Sequence, residues 1–347
     1  VNWDERILSE EELSRYLSGS DGRNLAARVS AMIEQQRMTW PLLREGYDGL
    51  AQIEMKRITV ADSAVVVQHN SKRIRSTAAA VDKTSLEKRP CFLCSENLPV
   101  EEKGIAYGSE MVILCNPFPI LDKHLSIVHR KHIEQKIEGN IETLLKLAAD
   151  LSPEYFLLYN GPRCGASAPD HLHFQACSRK LLPIEQELEA SAPAEEAHCS
   201  VCEETQRDSF ELFSLEGYGR SVIVFRGSNS EEIVEWFYRV LDELPRDPEE
   251  IEPMINLICT FESGTCTLYL FPRKRHRPAS FFAEGDERLL VSPGAIDMAG
   301  VVVVPEREHF AKLGGERMEA IYSEVSFDDA AVNEILERVS SNGEGNW

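Results

Sequence analysis

The sequence predicts an α+β fold, antiparallel sheets with flanking helices, and three observations carry that expectation. Apolar runs of strand length stand on either side of an amphipathic helical stretch at 141–151. The same strand, helix, strand order returns after residue 220. Between the two, 181–204 turns to Glu, Ala, Ser and Pro, the composition of a linker or mobile loop. With 347 residues, 43% of them hydrophobic, the chain can fill two ordinary domains around a substantial core.

Taken in order, apolar positions at Leu25, Val29, Met32 and Ile33 have the spacing of a helix over 25–38. Residues 53–68 alternate, with the β-branched run Val65-Val66-Val67, and predict a strand pair leading to His69-Asn70 and the basic cluster Lys72-Arg73-Ile74-Arg75. A polar connection over 77–89 leads to Cys91. Strands at 111–115 and 124–129 are separated by Asn116-Pro117-Phe118-Pro119, whose prolines forbid a ladder there. The helix at 141–151 has Ile141, Leu144, Leu145, Ala148 and Leu151 on one face, and strands follow at 155–159 and 171–175. In the second half, strands are expected at 221–225, 255–259 and 266–271, with a helix at 232–244 turning Ile233, Phe237, Leu241 and Leu244 inward. That order echoes the first half without its histidine-bearing strand, which suggests a tandem duplication.

Charge narrows the function. Thirty-seven basic residues face 58 acidic ones, and a net charge of −21 repels nucleic acid and anionic membrane, so neither is expected as a partner. An anionic substrate needs local basic patches, and two stand out: the one at 72–75 and Arg273-Lys274-Arg275-His276-Arg277. Arg73 and Arg273 are the candidates for neutralising substrate charge, since a guanidinium grips phosphate as a bidentate fork; surface ion pairing is the competing role. No apolar run approaches the roughly 20 residues that cross a bilayer, and 260–271 suits a buried strand. Nine cysteines, an odd number, and no amino-terminal apolar segment predict a cytoplasmic protein without a disulfide framework.

The densest chemistry lies at His171-Leu172-His173-Phe174-Gln175, eleven residues after Asn160-Gly161 and just beyond Gly165-Ala166-Ser167. In a strand, His171, His173 and Gln175 share one face while Leu172 and Phe174 enter a core, so two imidazoles and an amide are expected to converge. Histidine is nucleophilic near neutral pH, and small residues nearby offer amide N–H groups to phosphate oxygens. A metal pair, or two unrelated histidines in a polar strand, is the competing reading.

These segments, from Tyr159-Asn160-Gly161 to Ala176, resemble the active-site region of the histidine triad superfamily, in the branch of galactose-1-phosphate uridylyltransferases, diadenosine tetraphosphate phosphorylases and GDP-L-galactose phosphorylases. That branch carries His-x-His-x-Gln, where hydrolases of the superfamily usually have a third histidine. Asn116-Pro117-Phe118-Pro119, His124-Leu125-Ser126-Ile127 and His129-Arg130-Lys131-His132 are also similar, as are Asn256-Leu257-Ile258, Tyr269 to Arg273, Ser292-Pro293-Gly294-Ala295 and Tyr322 to Ser326. The resemblance spans roughly residues 60 to 340.

It implies tandem histidine-triad-like modules: an extension at 1–60, a catalytic module at 61–185 and a degenerate one at 186–347. It also implies a nucleotidyltransferase or nucleoside-diphosphate-sugar phosphorylase with His173 as nucleophile and Gln175 holding a phosphoryl oxygen. Asn160, Gly165 and Ser167 would contact phosphates, although Gly and Asn equally suit a tight turn. The donor would be a nucleotide sugar or dinucleotide, the acceptor phosphate or a sugar phosphate, and the uridylyltransferases imply a homodimer. Alternatives on the same residues are a dinucleotide hydrolase and a non-catalytic nucleotide-binding protein.

Cys91-Phe92-Leu93-Cys94 has the spacing of half a zinc site. By the resemblance, His132 and His171 complete a structural zinc centre with Cys91 and Cys94. His129 competes for the third position, and Cys199-Ser200-Val201-Cys202 offers a four-cysteine site instead. Cys115, Cys164, Cys177, Cys259 and Cys266 lack such spacing and are expected as buried small hydrophobes.

Overall fold

A computed structural model describes residues 2–17, 22, 24–74, 88–190 and 210–341. Nine antiparallel strands form its main sheet: β3 (Ile105–Tyr107), β4 (Met111–Cys115), β5 (Leu125–His129), β6 (Tyr155–Asn160), β7 (His173–Ser178), β8 (Phe210–Ser214), β9 (Ile223–Gly227), β10 (Ile255–Glu262) and β11 (Thr265–Pro272). Their spatial order is β3-β4-β5-β7-β6-β10-β11-β9-β8. Each half is hairpin, helix, hairpin. The halves meet where β6 pairs with β10, so β4-β5-β7-β6 is mirrored by β10-β11-β9-β8.

The second half therefore does contain the counterpart of the histidine strand. It is β11, whose residues include no histidine, and the expected strand at 266–271 is one arm of a hairpin whose turn uses Ser263 and Gly264 at positive φ. Two modules of like topology, joined at the β6–β10 seam, account for this arrangement.

One face of the main sheet carries α2 (Leu25–Thr39), α4 (Ile141–Asp150), α6 (Ser230–Glu243) and α11 (Asp329–Ser341), whose apolar sides share a core with Leu157, Tyr159, Leu172, Phe174, Leu257 and Leu268. The caps are legible: the Asn24 side chain accepts the Ala27 N–H, and that of Asn229 the Glu231 N–H. On the other face lies a small sheet of β1 (Glu54–Val60), β2 (Ser63–His69) and β12 (Val301–Val304), with β12 parallel to β2. Its valines pack on Phe156, Leu158, Ile258, Tyr269 and Phe271. Covered on both faces, β6 is buried throughout.

Two expectations need correction. Part of the expected linker folds, as the helix α5 (Pro183–Ala190), because Leu182, Ile184 and Leu188 find a place in the second core. Cys199 and Cys202 lie outside the described residues, as does most of 77–89. The other correction concerns the histidine strand. It begins at His173, so His171 precedes the ladder and is free of strand alternation. Among the described residues no helix is long and apolar enough to cross a membrane. The five cysteines without metal-site spacing are buried and unbridged.

Candidate active site

Leu172 and Phe174 enter the helix-side core, which turns His173 and Gln175 toward the opposite face of the sheet. The two imidazoles part company there. His173 and Gln175 line one cavity, whereas His171 joins a cysteine cluster beside it.

Backbone partners determine which nitrogen of each ring is protonated. His173 Nδ1 lies 2.8 Å from the His171 carbonyl, which can only accept, so Nδ1 carries the proton and Nε2 keeps a lone pair. Burial pulls the His173 pKa down to about 4, so the ring is neutral near pH 7. The ladder between β6 and β7 is registered only as far as Leu158 and Gln175. Beyond it Gln135, fully buried, substitutes for a strand: its amide NH2 donates to the Asn160 and His173 carbonyls, and its oxygen accepts the His173 N–H at 2.8 Å. No local pattern marks Gln135 for that task.

His124 was also hidden from function at the sequence level. Its Nδ1 accepts the Ile120 N–H, so Nε2 is the protonated nitrogen and donates to Gln175 Oε1 at 2.8 Å. With that oxygen engaged, the Gln175 NH2 is the end that can donate to an anion in the cavity. Burial, with the Arg73 charge nearby, drives the His124 pKa down to about 3 and keeps this arrangement uncharged. A His124→Ala variant is expected to retain its fold but lose about 10- to 100-fold in kcat, because the Gln175 amide loses its orientation. Steady-state kinetics on a variant with an unchanged circular dichroism spectrum checks this; wild-type kcat would refute it.

Asn160, Gly165, Ser167 and Arg73 all line the same cavity. Asn160 Oδ1 accepts from Asn256 and from the Ala295 N–H, both at 2.8 Å, tying the end of β6 to the second half. Gly165 sits at φ +97, and a Cβ there would lie 3.1 Å from the Gly294 Cα; one on Gly294 would lie 3.0 Å from Asn160 Oδ1. Two glycines thus let the 165–167 and 292–295 loops close together. Arg73 donates to the Phe118 carbonyl at 3.0 Å.

Arg273 does not line the cavity. It is buried, and its guanidinium donates to Asn256 Oδ1 and to the carbonyls of Val325, Pro293, Arg275 and His276. Its hydrogen-bonding capacity goes into bracing the loop beyond β11. The side chains that this basic cluster does bring to the cavity are His276 and Arg277.

Beside the cavity, Cys91, Cys94, His132 and His171 place their ligand atoms within 4.8 Å of one another. Cys91 Sγ and His171 Nδ1 are 3.3 Å apart, Cys94 Sγ and His132 Nδ1 3.3 Å, and Cys94 Sγ and His171 Nδ1 3.6 Å. Tetrahedral zinc holds neighbouring S and N ligands about 3.5 Å apart, so the residues fit it. Their outer partners agree. His171 Nε2 donates to the His129 carbonyl at 2.7 Å, and His132 Nε2 faces Asp170 at 3.4 Å, leaving both Nδ1 atoms for a metal. His129 Nδ1 is engaged by the Lys131 backbone and does not join the cluster.

Residues 32–178 match a family described as a domain of unknown function, DUF4922, and 193–344 match the GDPGP1-like, C-terminal domain. Yeast Ap4A phosphorylase Apa2 in complex with AMP superimposes with a TM-score of 0.54 at 15% identity, over 85% of this chain and 96% of that one. The second half of the chain thus matches a GDPGP1-like C-terminal domain, and the chain as a whole shares the fold of the yeast phosphorylase. The same yeast phosphorylase in complex with Ap4A gives a TM-score of 0.53 at 15% identity, over 83% of this chain and 97% of that one. No curated protein matches significantly. At 15% identity the likeness to the yeast phosphorylase is one of fold, and the chemistry rests on the residues just described.

Proposed function

We propose that the protein is a nucleotidyltransferase or nucleoside-diphosphate-sugar phosphorylase that works through a nucleotidyl–His173 intermediate. One observation carries the reading: a neutral His173, its Nε2 lone pair held ready by the His171 carbonyl, shares a cavity with the oriented amide of Gln175. The Nε2 lone pair attacks the phosphorus next to the nucleoside. The bridging P–O bond breaks, and its electron pair leaves on the sugar phosphate. The ring keeps its Nδ1 proton, and the His171 carbonyl stabilises the positive charge that develops. Gln175, with Asn160, Gly165 and Ser167, would hold phosphoryl oxygens. A phosphate or sugar phosphate oxygen then attacks the same phosphorus, and the pair of the P–N bond returns to Nε2.

In this reading the 61–185 module supplies the nucleophile and the 186–347 module the far wall of the cavity. Zinc at the Cys91, Cys94, His132 and His171 site would supply a rigid structural anchor just ahead of β7. A cytoplasmic setting is part of this proposal, on the odd number of cysteines, nine, in the sequence. A dinucleotide is the second donor class, since a phosphorylase crystallised with Ap4A shares the fold.

The test is acceptor dependence. With a panel of nucleoside-diphosphate sugars and dinucleoside tetraphosphates, product should form slowly in buffer alone and faster on adding inorganic phosphate or hexose 1-phosphate, because the motif lacks a third imidazole to assist water. Phosphate with a nucleoside-diphosphate sugar should give nucleoside diphosphate and sugar 1-phosphate. Rapid nucleoside monophosphate release, indifferent to both acceptors, would establish the hydrolase instead.

A further inference from the structure

The cavity has two walls. On the wall from the first half, Gln175 is backed by His124, with Asn116, Ser126 and Arg73 nearby. The second half of the chain forms the other wall, where Ser292 and Arg277 enter the lining beside Gly294, which closes on Gly165. Arg277 Nε donates to Ser292 Oγ at 3.0 Å, and the guanidinium stacks 4.2 Å above the Phe281 ring, so the cation is held against the wall. His276 Nε2 lies 3.4 Å from the same hydroxyl. Behind them, buried Arg273 binds the carbonyls of Arg275 and His276 and fixes the path of the loop. A planar cation and a hydroxyl, positioned by a second rigid layer, form a phosphate-binding arrangement.

We propose that Arg277 and Ser292 bind the exchangeable phosphate: the β-phosphate of the sugar phosphate as it leaves, and the incoming acceptor phosphate in the second step. The inference rests on the nucleotidyl–histidine reading and adds which residues give that cycle its preference for an anionic acceptor over water. Arg73, beside His124 on the other wall, serves the nucleotidyl phosphate that stays in place through both steps. In the discharge step, an oxygen of the phosphate held by Arg277 forms the new P–O bond as the P–Nε2 bond breaks and its electron pair returns to His173. The nucleoside diphosphate leaves, and no other reactant is needed.

The experiment uses whole protein, a nucleoside-diphosphate sugar that the wild type turns over, and inorganic phosphate as acceptor. Intact-mass measurement without phosphate first establishes the adduct on wild type. Rates against phosphate concentration then follow for Arg277→Gln, Arg277→Lys, Ser292→Ala and Arg275→Gln. Arg277→Gln should raise the phosphate KM about 10- to 100-fold, well beyond any fall in kcat, and Arg277→Lys should recover part of it by restoring charge without the fork. Ser292→Ala should move KM in the same direction by a smaller factor. Arg275→Gln should match wild type, because that side chain is exposed and paired with Glu324. Should Arg277→Gln misfold, the Arg277→Lys and Ser292→Ala values decide. A phosphate KM unchanged in the folded variants, with the adduct present on wild type, overturns the inference alone. Absence of the adduct from wild type overturns it together with the reading beneath it.

Discussion

His173→Ala is expected to lose turnover by at least about 10⁴-fold and to form no nucleotidyl adduct, the largest effect of any single substitution in this chain. Among the described residues, no other imidazole is on the wall that carries His173 and free to replace it. His171 is turned away with Nε2 bonded to the His129 carbonyl, and His124 has both nitrogens engaged and a pKa held near 3. His276 also lines the cavity, but it belongs to the opposite wall. Folding should survive, because the imidazole contributes one Nδ1–H bond to the His171 carbonyl, about 1 kcal/mol net, while the backbone of residue 173 stays clamped by Gln135. The measurement pairs intact-mass analysis with a thermal melt. An adduct of wild-type abundance on a folded His173→Ala protein would move the nucleophile elsewhere.

The second large effect concerns the metal. Protein purified without chelator should carry about one zinc per chain, and Cys91→Ser with Cys94→Ser should reduce that to a small fraction. The consequence should extend to catalysis. His171 is two residues from His173 and its own carbonyl is the acceptor that sets the His173 tautomer, so loosening the cluster should loosen the very group that holds Nδ1. We expect a melting temperature lower by several degrees and a kcat lower by about tenfold or more, with zinc content, melt and rate falling together. Stoichiometric zinc in the double variant would assign the metal to other ligands.

Much of the core was legible in advance because its signals are local. The helix over 141–151 follows from the spacing of Ile141, Leu144, Leu145 and Ala148, and the strand at 111–115 from an unbroken apolar run; both stand as expected. The linker reading over 181–190 failed for a non-local reason. A polar, alanine-rich composition says nothing about whether Leu182, Ile184 and Leu188 will find a core to enter, and here they do. The second half's version of the histidine strand was missed because topology, not composition, makes β11 the equivalent of β7.

The candidate site divides the same way. His-x-His-x-Gln, Cys-x-x-Cys and the Gly-Ala-Ser segment were visible by sequence alone, since spacing along one strand or one turn fixes which side chains can meet. Tertiary structure decided that His171 serves the cysteines while His173 serves the cavity, because the β6–β7 ladder ends before His171 and releases it from alternation. It alone paired Gln175 with His124, 51 residues away, through the antiparallel alignment of β5 and β7. It also exchanged Arg273 for Arg277 as the side chain facing the cavity. Arg273 is buried bracing the loop and Arg277, four residues on, lines the cavity; charge is identical at both positions, and only the packing of the loop beyond β11 distinguishes them.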